Sequence, residues 1–264
     1  MKKWEIFEIK CTNFLNEKYG TYAEFIHQGK SNSKASDILV KTKSGKSFYM
    51  GVKLCPAQCG QFVLLPNLNT RRFEYSSSND NPINRHSEMI INYMNDNFDV
   101  FSAPSTSGKS IDIPNGANIF SNWVIEIYQH KGAKLFITNN YTILPIEYFR
   151  DYFQISAKYR IKRSGSSSVG KHNIELIKDY ISTHDYAITN YRIDNNKLFV
   201  TSVQQLHNQR FTLNGITYMF SLRTNEYELR KLSKTNNPNV IFSIVNKTPQ
   251  TPSMPELKFI DYLK

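Results

Sequence analysis

The chain has 264 residues, which fits one large domain or two small ones. Hydrophobic residues make up 40 % of it and aromatic residues 13 %, so it can bury a core without disulfide support. Basic residues outnumber acidic ones by 33 to 22, and most of the excess follows residue 155, where 16 basic residues face 8 acidic ones. This basic balance favours a polyanionic partner, above all nucleic acid.

The sequence offers no sign of a membrane or secretory role. Its apolar runs are far shorter than the roughly 20 residues that span a bilayer, and Met1-Lys2-Lys3 leads into a mixed stretch. A cytoplasmic location is therefore predicted. Cys11, Cys55 and Cys59 cannot form a disulfide framework, and no second pair of ligands accompanies Cys55 and Cys59 at zinc spacing. These last two are predicted to be buried as small apolar residues.

The predicted elements alternate without the regularity of a doubly wound fold. Apolar residues at helical spacing from Trp4 to Leu15 predict a first helix that Gly20 closes. Further helices are predicted at 85–97, 117–131 and 173–182, and strands at 22–27, 37–42, 47–54, 61–65, 134–138 and 155–163, with more strands up to about 245. The stretches 67–83 and 164–170 are predicted to be irregular, and 248–255 to cross the surface. This order predicts an α/β protein with a mixed central sheet flanked by helices and a C-terminal α+β extension.

The strand predicted at 155–163 carries a basic face. Alternation with a period of two places its cations on one side and its apolar residues on the other. A Ser/Gly-rich loop with free amides and hydroxyls follows, and this combination is suited to holding phosphates and reaching base edges. The alternative is an exposed edge strand that lysines protect from aggregation. The predicted DNA contacts are Lys158, Arg160, Lys162, Arg163, Ser164, Ser166 and Lys171.

A second constellation lies on the predicted hairpin around Ser44-Gly45. Its two strands bring Asp37 and Lys53 side by side. Such a pair suits metal-dependent phosphodiester hydrolysis, in which the carboxylate holds Mg²⁺ while the ammonium orients water and offsets charge on the phosphate. Asp and Lys meet on neighbouring strands in many proteins, so the pair alone does not establish a nuclease.

The spacing of this pair matches the frame Asp-x(n)-(Glu/Asp/Gln)-x-Lys of the PD-(D/E)xK nucleases. Within that superfamily the chain resembles the HhaI-like type II restriction endonucleases, in collinear order over most of residues 1–165. The strings that carry the resemblance are the opening W-x-x-F-E to Y-G at 4–20, S-D-I-L at 36–39, F-Y at 48–49, V-K-L-C-P at 52–56, Q-C-G-Q-F-V-L at 58–64 and Y-R-I-K-R-S-G-S at 159–166. Beyond them only V-I-F-S-I at 240–244 matches.

The resemblance implies a PD-(D/E)xK catalytic core at 1–155 and a basic DNA-recognition part at 156–264. It implies Mg²⁺-dependent cleavage of double-stranded DNA at a short unmethylated palindrome such as GCGC, and a cognate DNA methyltransferase in the same system. It also implies roles for particular residues, with Asp37 and the Val52 carbonyl as metal ligands, Lys53 as the catalytic lysine, and Glu8, Gln58 and Gln61 as supporting groups.

Gly51 departs from this pattern, because the family has an acidic residue two positions before the lysine. Glycine has no side chain to bind a metal. Another residue could supply the ligand, water could fill the place, or the chain could be an inactive DNA-binding protein on the same scaffold. Since the sequence shows no structural reason for a glycine inside a strand, it predicts that Gly51→Glu raises cleavage.

Overall fold

The computed structural model describes residues 2–28, 36–103, 107–163, 165–248 and 253–264, apart from the side chain of Arg163. The α-helices are α1 (Lys3–Tyr19), α2 (Arg85–Asp96), α3 (Phe98–Ser102), α4 (Gly116–His130), α5 (Phe149–Tyr152), α6 (Ile174–Ser182) and α7 (Glu256–Leu263). None of the described helices is long and apolar enough to cross a membrane.

The strands fall into three sheets within the described ranges. They are β1 (Ala23–His27), β2 (Ile38–Thr42), β3 (Ser47–Lys53), β4 (Ala57–Asn67), β5 (Arg72–Tyr75), β6 (Lys109–Ser110), β7 (Ala133–Thr138), β8 (Thr142–Pro145), β9 (Phe153–Arg163), β10 (Ser166–Ser168), β11 (Ile188–Asp194), β12 (Lys197–Ser202), β13 (Arg210–Leu213), β14 (Ile216–Leu222), β15 (Tyr227–Leu232) and β16 (Asn236–Asn246). The predicted α/β class is confirmed.

The chain forms two compact units, Met1–Ile161 with Pro238–Lys264 and, between them in sequence, Lys162–Asn237. These bounds differ from the predicted division at residue 155, because the chain returns to the first unit after residue 237. There β16 pairs antiparallel with β4, with Ile241 opposite Gln61. The assignment of catalysis and recognition to separate parts stays a prediction.

The first sheet of the first unit has the order β1-β2-β3-β7-β8. Its first three strands are an antiparallel meander, whereas β3 runs parallel to β7, with Val52 opposite Ile137. Leu15 of α1 and Phe259 of α7 pack against this sheet and share an apolar cluster with Met50 of β3. A mixed sheet flanked by helices was predicted, and this sheet confirms it.

The second sheet of the first unit has the order β5-β4-β16-β9-β6. The larger apolar cluster joins α2 and α4 to this sheet and to Phe136 of β7. Its centre is Trp123 of α4, whose ring stacks on Phe242 with the centroids 4.1 Å apart, and Phe62 packs beside both rings. This cluster therefore fixes the position of α4 relative to β3.

The second unit is built on an antiparallel sheet of order β11-β12-β15-β14-β13, with β10 paired to β15. Its helix α6 presents Ile174, Ile177 and Ile181 at helical spacing, and they share an apolar cluster with Phe211 and Phe220 of the sheet. A helix covering an antiparallel sheet is an α+β arrangement, as predicted for the C-terminal part.

Some segments differ from their prediction. The stretch 67–83 contains β5, and β4 continues through Pro66. Pairing between β4 and β16 ends at Val63, so the missing N–H of Pro66 breaks no bond with β16. The Ser/Gly loop contains β10, which pairs with β15 through its backbone whatever its side chains are.

The tail also differs from its prediction in its described part. Met254 is buried and its N–H donates to the Ile143 carbonyl over 2.8 Å, while the hydroxyl of Ser253 accepts from the Ile143 N–H over 3.0 Å. The segment therefore adds to the first core instead of crossing its surface, and α7 follows it. Residues 249–252 lie outside the described ranges.

Candidate active site

Asp37 and Lys53 meet at one end of the β2–β3 hairpin. Asp37 directly precedes β2 and Lys53 ends β3, and the register places Ile38 opposite Met50. Nζ of Lys53 lies 3.3 Å from Oδ2 of Asp37, and their side chains are 12 % and 24 % exposed. The hairpin thus brings together the two residues that the sequence had paired.

The backbone fixes the Asp37 carboxylate. Its Oδ2 accepts a hydrogen bond of 2.6 Å from the N–H of Val52, one residue before the lysine. The N–H of Val52 and the ammonium of Lys53 therefore both donate to the same oxygen of Asp37. A carboxylate held by an ion pair and by a backbone N–H keeps a fixed orientation.

Tyr128 of α4 lies on the other side of the lysine, with its ring centroid 5.4 Å from Nζ of Lys53. Burial opposes the charged form of Lys53, but Tyr128 and Asp37 outweigh it, and the balance raises the pKa of Lys53 above its ordinary value. Burial raises the pKa of Tyr128 to about 12, against the opposing effect of Lys53. At neutral pH the site therefore holds an ammonium beside a neutral phenol.

A cleft of about 600 Å³ opens beside this pair. Val52 and Lys53 line it from β3, Glu8 lines it from α1, and Gln58 lines it from β4. Gln61 is exposed on β4, where its Oε1 accepts a 2.9 Å hydrogen bond from Nε2 of Gln58. The predicted supporting residues therefore gather on one side of the first unit.

Glu8 has a partner that the sequence analysis did not find. Its Oε2 lies 3.0 Å from Nε2 of His27, which ends β1 and stands opposite Ile38 in the register. Burial raises the pKa of Glu8 and the negative charge of Asp37 adds to it, whereas the hydrogen bond with His27 opposes both. Only the pairing of β1 with β2 brings His27 here, and a scattered histidine gives no such signal in the sequence.

Gly51 has a structural reason, contrary to the sequence-based expectation. A Cβ atom at this position would lie 2.4 Å from Cε1 of Phe136 and 3.1 Å from Cε1 of Tyr128. Carbon atoms in contact stay at about 3.5–4.0 Å, so these rings occupy the space of any side chain at position 51. The space that the expected acidic side chain would need is filled by the aromatic core, and a carboxylate there would clash.

The oxygen atoms that could hold a cation here are those of Asp37, which pairs with Lys53, and those of Glu8 and the Val52 carbonyl, whose residues line the cleft. In the part of the chain that the structure describes, no group of three or more His, Cys, Asp or Glu side chains could hold a metal ion. Mg²⁺ is commonly bound by one or two carboxylates together with water and phosphate, so this set fits Mg²⁺ better than Zn²⁺. Cys59 is buried as predicted, whereas Cys55 is only half-buried.

The basic face of β9 is present in the fold. Tyr159 and Ile161 are buried, Arg160 is half-buried, and Lys158 and Lys162 are exposed, as the alternation predicted. The hydroxyl of Tyr159 donates a 2.8 Å hydrogen bond to the carbonyl of Leu64, which holds this strand against the core. The contact of these cations with DNA stays a prediction.

The predicted contacts beyond this strand are distributed differently. Ser164 and the side chain of Arg163 lie outside the described residues. Ser166 begins β10, and its Oγ accepts a 3.1 Å hydrogen bond from Nε of Arg230 on β15, so this hydroxyl already has a partner within the second unit. Lys171 is exposed at the start of a short 3₁₀ turn.

Comparison with known proteins gives one similarity over the whole chain. A solved structure of HhaI endonuclease in complex with DNA shares 34 % sequence identity with this chain, covers 99 % of each chain and superimposes with a TM-score of 0.79. No family model and no curated protein matches the chain. Because both the sequence and the fold agree from end to end, the chain belongs to the family of HhaI-like restriction endonucleases.

Proposed function

We propose that this protein is a type II restriction endonuclease that hydrolyses phosphodiester bonds in double-stranded DNA with Mg²⁺. The observation that carries the proposal is the ion pair of Asp37 and Lys53, 3.3 Å apart beside a cleft that also contains Glu8. The net charge of +11 suits a polyanionic substrate. The similar HhaI endonuclease structure, which is a complex with DNA, supports the same substrate.

The residues of the cleft divide the chemistry between them. Asp37, the carbonyl of Val52 and Glu8 are the oxygen donors that would hold Mg²⁺. When bound, the metal stabilises the negative charge that develops on the phosphate. The ammonium of Lys53 orients the attacking water and neutralises part of the same charge. Asp37 keeps Lys53 in place, and the Val52 N–H keeps Asp37 in place.

We place the site in the PD-(D/E)xK superfamily. An aspartate before one strand and a lysine at the end of the next agree with its frame, and Gly51 stands where its second acid belongs. In this proposal Glu8 of α1 supplies the second carboxylate, because it lines the same cleft and the charge of Asp37 acts on it. Gln58 and Gln61 support the cleft rim.

The remaining parts of the proposal concern the substrate and its setting. The site is expected to cleave a short unmethylated palindrome such as GCGC, with recognition by the basic residues of β9 and beyond. A DNA methyltransferase of the same specificity would protect the host DNA. A cytoplasmic location, where that DNA lies, follows from this role.

Gly51 favours a second candidate, an inactive DNA-binding protein on the same scaffold. The packing of Phe136 and Tyr128 leaves no space for the missing acid. Against this candidate stands the mostly buried pair of Lys53 and Asp37, because replacing a buried ion pair by packed apolar residues is often stabilising, so a scaffold without chemistry has no need to keep the pair.

Supercoiled plasmid incubated with the protein and Mg²⁺ tests both candidates. We expect discrete fragments from the wild-type protein and none from Asp37→Asn, whose DNA binding by gel shift persists. Asp99→Asn, which removes a surface carboxylate paired with Arg71, is the matched control and should cut normally. Binding without cleavage by the wild-type protein would favour the inactive candidate, and normal cleavage by Asp37→Asn would remove Asp37 from the site.

A further inference from the structure

Trp4 is the exposed one of the two tryptophans in the chain. It lies in the first turn of α1, and its side chain is 44 % exposed, whereas Trp123 is 1 % exposed in the core. Trp4 belongs to none of the apolar clusters of the described residues. Single exposed apolar side chains are common on protein surfaces, so the exposure of Trp4 matters only through its position.

The position of Trp4 points to the substrate. Its side chain lines the cleft that also contains Glu8, Val52 and Lys53. An aromatic ring in this place faces whatever enters the cleft to reach the lysine. Ile6, on the same turn of the helix and 38 % exposed, lies outside the residues that line the cleft.

The charges around Trp4 favour an anionic partner. Nζ of Lys2 lies 5.8 Å from the centre of its ring, and Lys3 lines the cleft beside it. Lys53 lines the same cleft, so two cationic residues, Lys3 and Lys53, border the space that a substrate would enter. The indole adds a flat apolar face for a sugar or base and an N–H donor for a phosphate oxygen.

We propose that Trp4 is a DNA contact, with its ring against the sugar or base of a nucleotide next to the phosphate in the cleft and Lys3 on the neighbouring backbone. This inference rests on the proposed function, since it takes DNA as the substrate. The base faces of a duplex are stacked on one another, so the ring would meet a sugar or the edge of a base, and contacts with the sugar carry no sequence information. Trp4 therefore adds affinity and position rather than sequence specificity.

Tryptophan fluorescence tests the inference without cleavage. A duplex of about 20 base pairs that carries GCGC and a fluorescein label is titrated in EDTA, so that anisotropy reports binding while tryptophan emission reports the indoles. We expect emission to change on binding in the wild-type protein and the change to be lost in Trp4→Phe, because the remaining Trp123 is buried. Trp4→Ala should weaken binding about fivefold, because it removes the apolar area that the ring would bury against the DNA, and Trp4→Phe about twofold or less.

Ile6→Ala is the matched control and should bind as the wild type does. Binding by anisotropy with no emission change and with normal affinity of Trp4→Ala would overturn the role of Trp4 and leave the proposed function standing. An emission change that persists in Trp4→Phe would assign the signal to Trp123 and also overturn it. No anisotropy change at all would overturn both proposals.

Discussion

Gly51 owes its identity to the rings around it rather than to the chemistry of the cleft. Phe136 of β7 and Tyr128 of α4 converge on its Cα from the larger apolar cluster. Tyr128 also faces Lys53, so one side chain packs the core and lines the site. Tyr128 therefore links the packing of the first unit's core to the environment of Lys53.

Gly51→Ala should lower the free energy of unfolding by about 1–3 kcal/mol, because the added methyl group overpacks a filled space. Urea denaturation is the measurement. Gly165→Ala is the control, since nothing lies within 4 Å of a Cβ there, and it should change stability by less than about 0.5 kcal/mol. A Gly51→Glu variant that is as stable as the wild type and cuts faster would contradict this packing argument.

Glu228 of β15 is a buried charge in the second unit. It is 3 % exposed, and its two oxygens accept hydrogen bonds from Arg223 and Arg230. Burial would raise the pKa of Glu228, but the two arginines outweigh it and hold this pKa below the ordinary value of 4.5. The stability it contributes is therefore present above pH 4.5 and is lost as the pH falls through the lowered value.

Glu228→Gln should cost about 3 kcal/mol of unfolding free energy at pH 7, because it leaves two arginines without their buried anion. The difference from the wild type should shrink as the pH falls below 4.5 and through the lowered pKa of Glu228. Denaturation at several pH values measures both. Glu226→Gln removes the anion of a more exposed pair with Arg192 and should cost less than about 1 kcal/mol. Equal costs for the two variants would refute the role assigned to burial.

At the scale of elements, sequence patterns predicted the helices and strands whose formation depends mainly on neighbouring residues in the chain. The stripe from Trp4 to Leu15 predicted α1, and the alternation around Tyr159 predicted β9 with the correct faces. The hairpin that joins Asp37 to Lys53 was predictable because its turn lies midway between them. A two-residue strand such as β6 and a serine-rich strand such as β10 carry no side-chain pattern, since their partners alone make them strands.

The candidate site was predictable in part for the same reason. Residues of one hairpin come together by local pairing, so Asp37 and Lys53 could be found from spacing. Contacts between distant elements, such as His27 with Glu8 or Tyr128 with Lys53, depend on how helices and strands pack. The packing that requires Gly51 involves three elements and leaves no trace in the spacing of the chain.

The basic face of β9 gives a prediction for this element as a whole. Replacing Lys158, Arg160 and Lys162 together by Ala should reduce the slope of log K against log salt by about three, close to one for each phosphate that no longer meets a cation. DNA binding measured from low to high salt gives the slope. Replacing Lys41, Lys43 and Lys46 removes the same charge from exposed positions elsewhere and should leave the slope nearly unchanged. Equal effects of both triple variants would mean that net charge alone decides binding.

At the scale of the whole molecule, the first unit is built from both ends of the chain. Its second sheet has β16 between β4 and β9, and Phe242 of β16 stacks on Trp123. Its first sheet is covered by α7 as well as α1, through Phe259 and Leu15. The second unit is formed by the sequence between β9 and β16. The first unit is therefore discontinuous in sequence.

A chain that ends at residue 235 should therefore fail to fold its first unit, because it lacks the central strand of one sheet and a helix of the other. Circular dichroism and limited proteolysis should show the loss. Adding a separately made fragment 236–264 should restore part of the protected structure, whereas the same fragment with Phe242→Asp should not. A cooperatively folded chain of residues 1–235 would contradict the central role given to β16.

Because β16 lies late in the sequence, it is synthesised after the other strands of the first unit. Residues are added from the first to the last, so the strands that carry Asp37 and Lys53 leave the ribosome long before the strand that completes the neighbouring sheet. The second unit can fold while the first still waits for its last strand. An unfinished chain, or one released early by a nonsense codon, therefore lacks the strand that pairs with β4, and the cleft that β4 lines is complete only after β16 has been made.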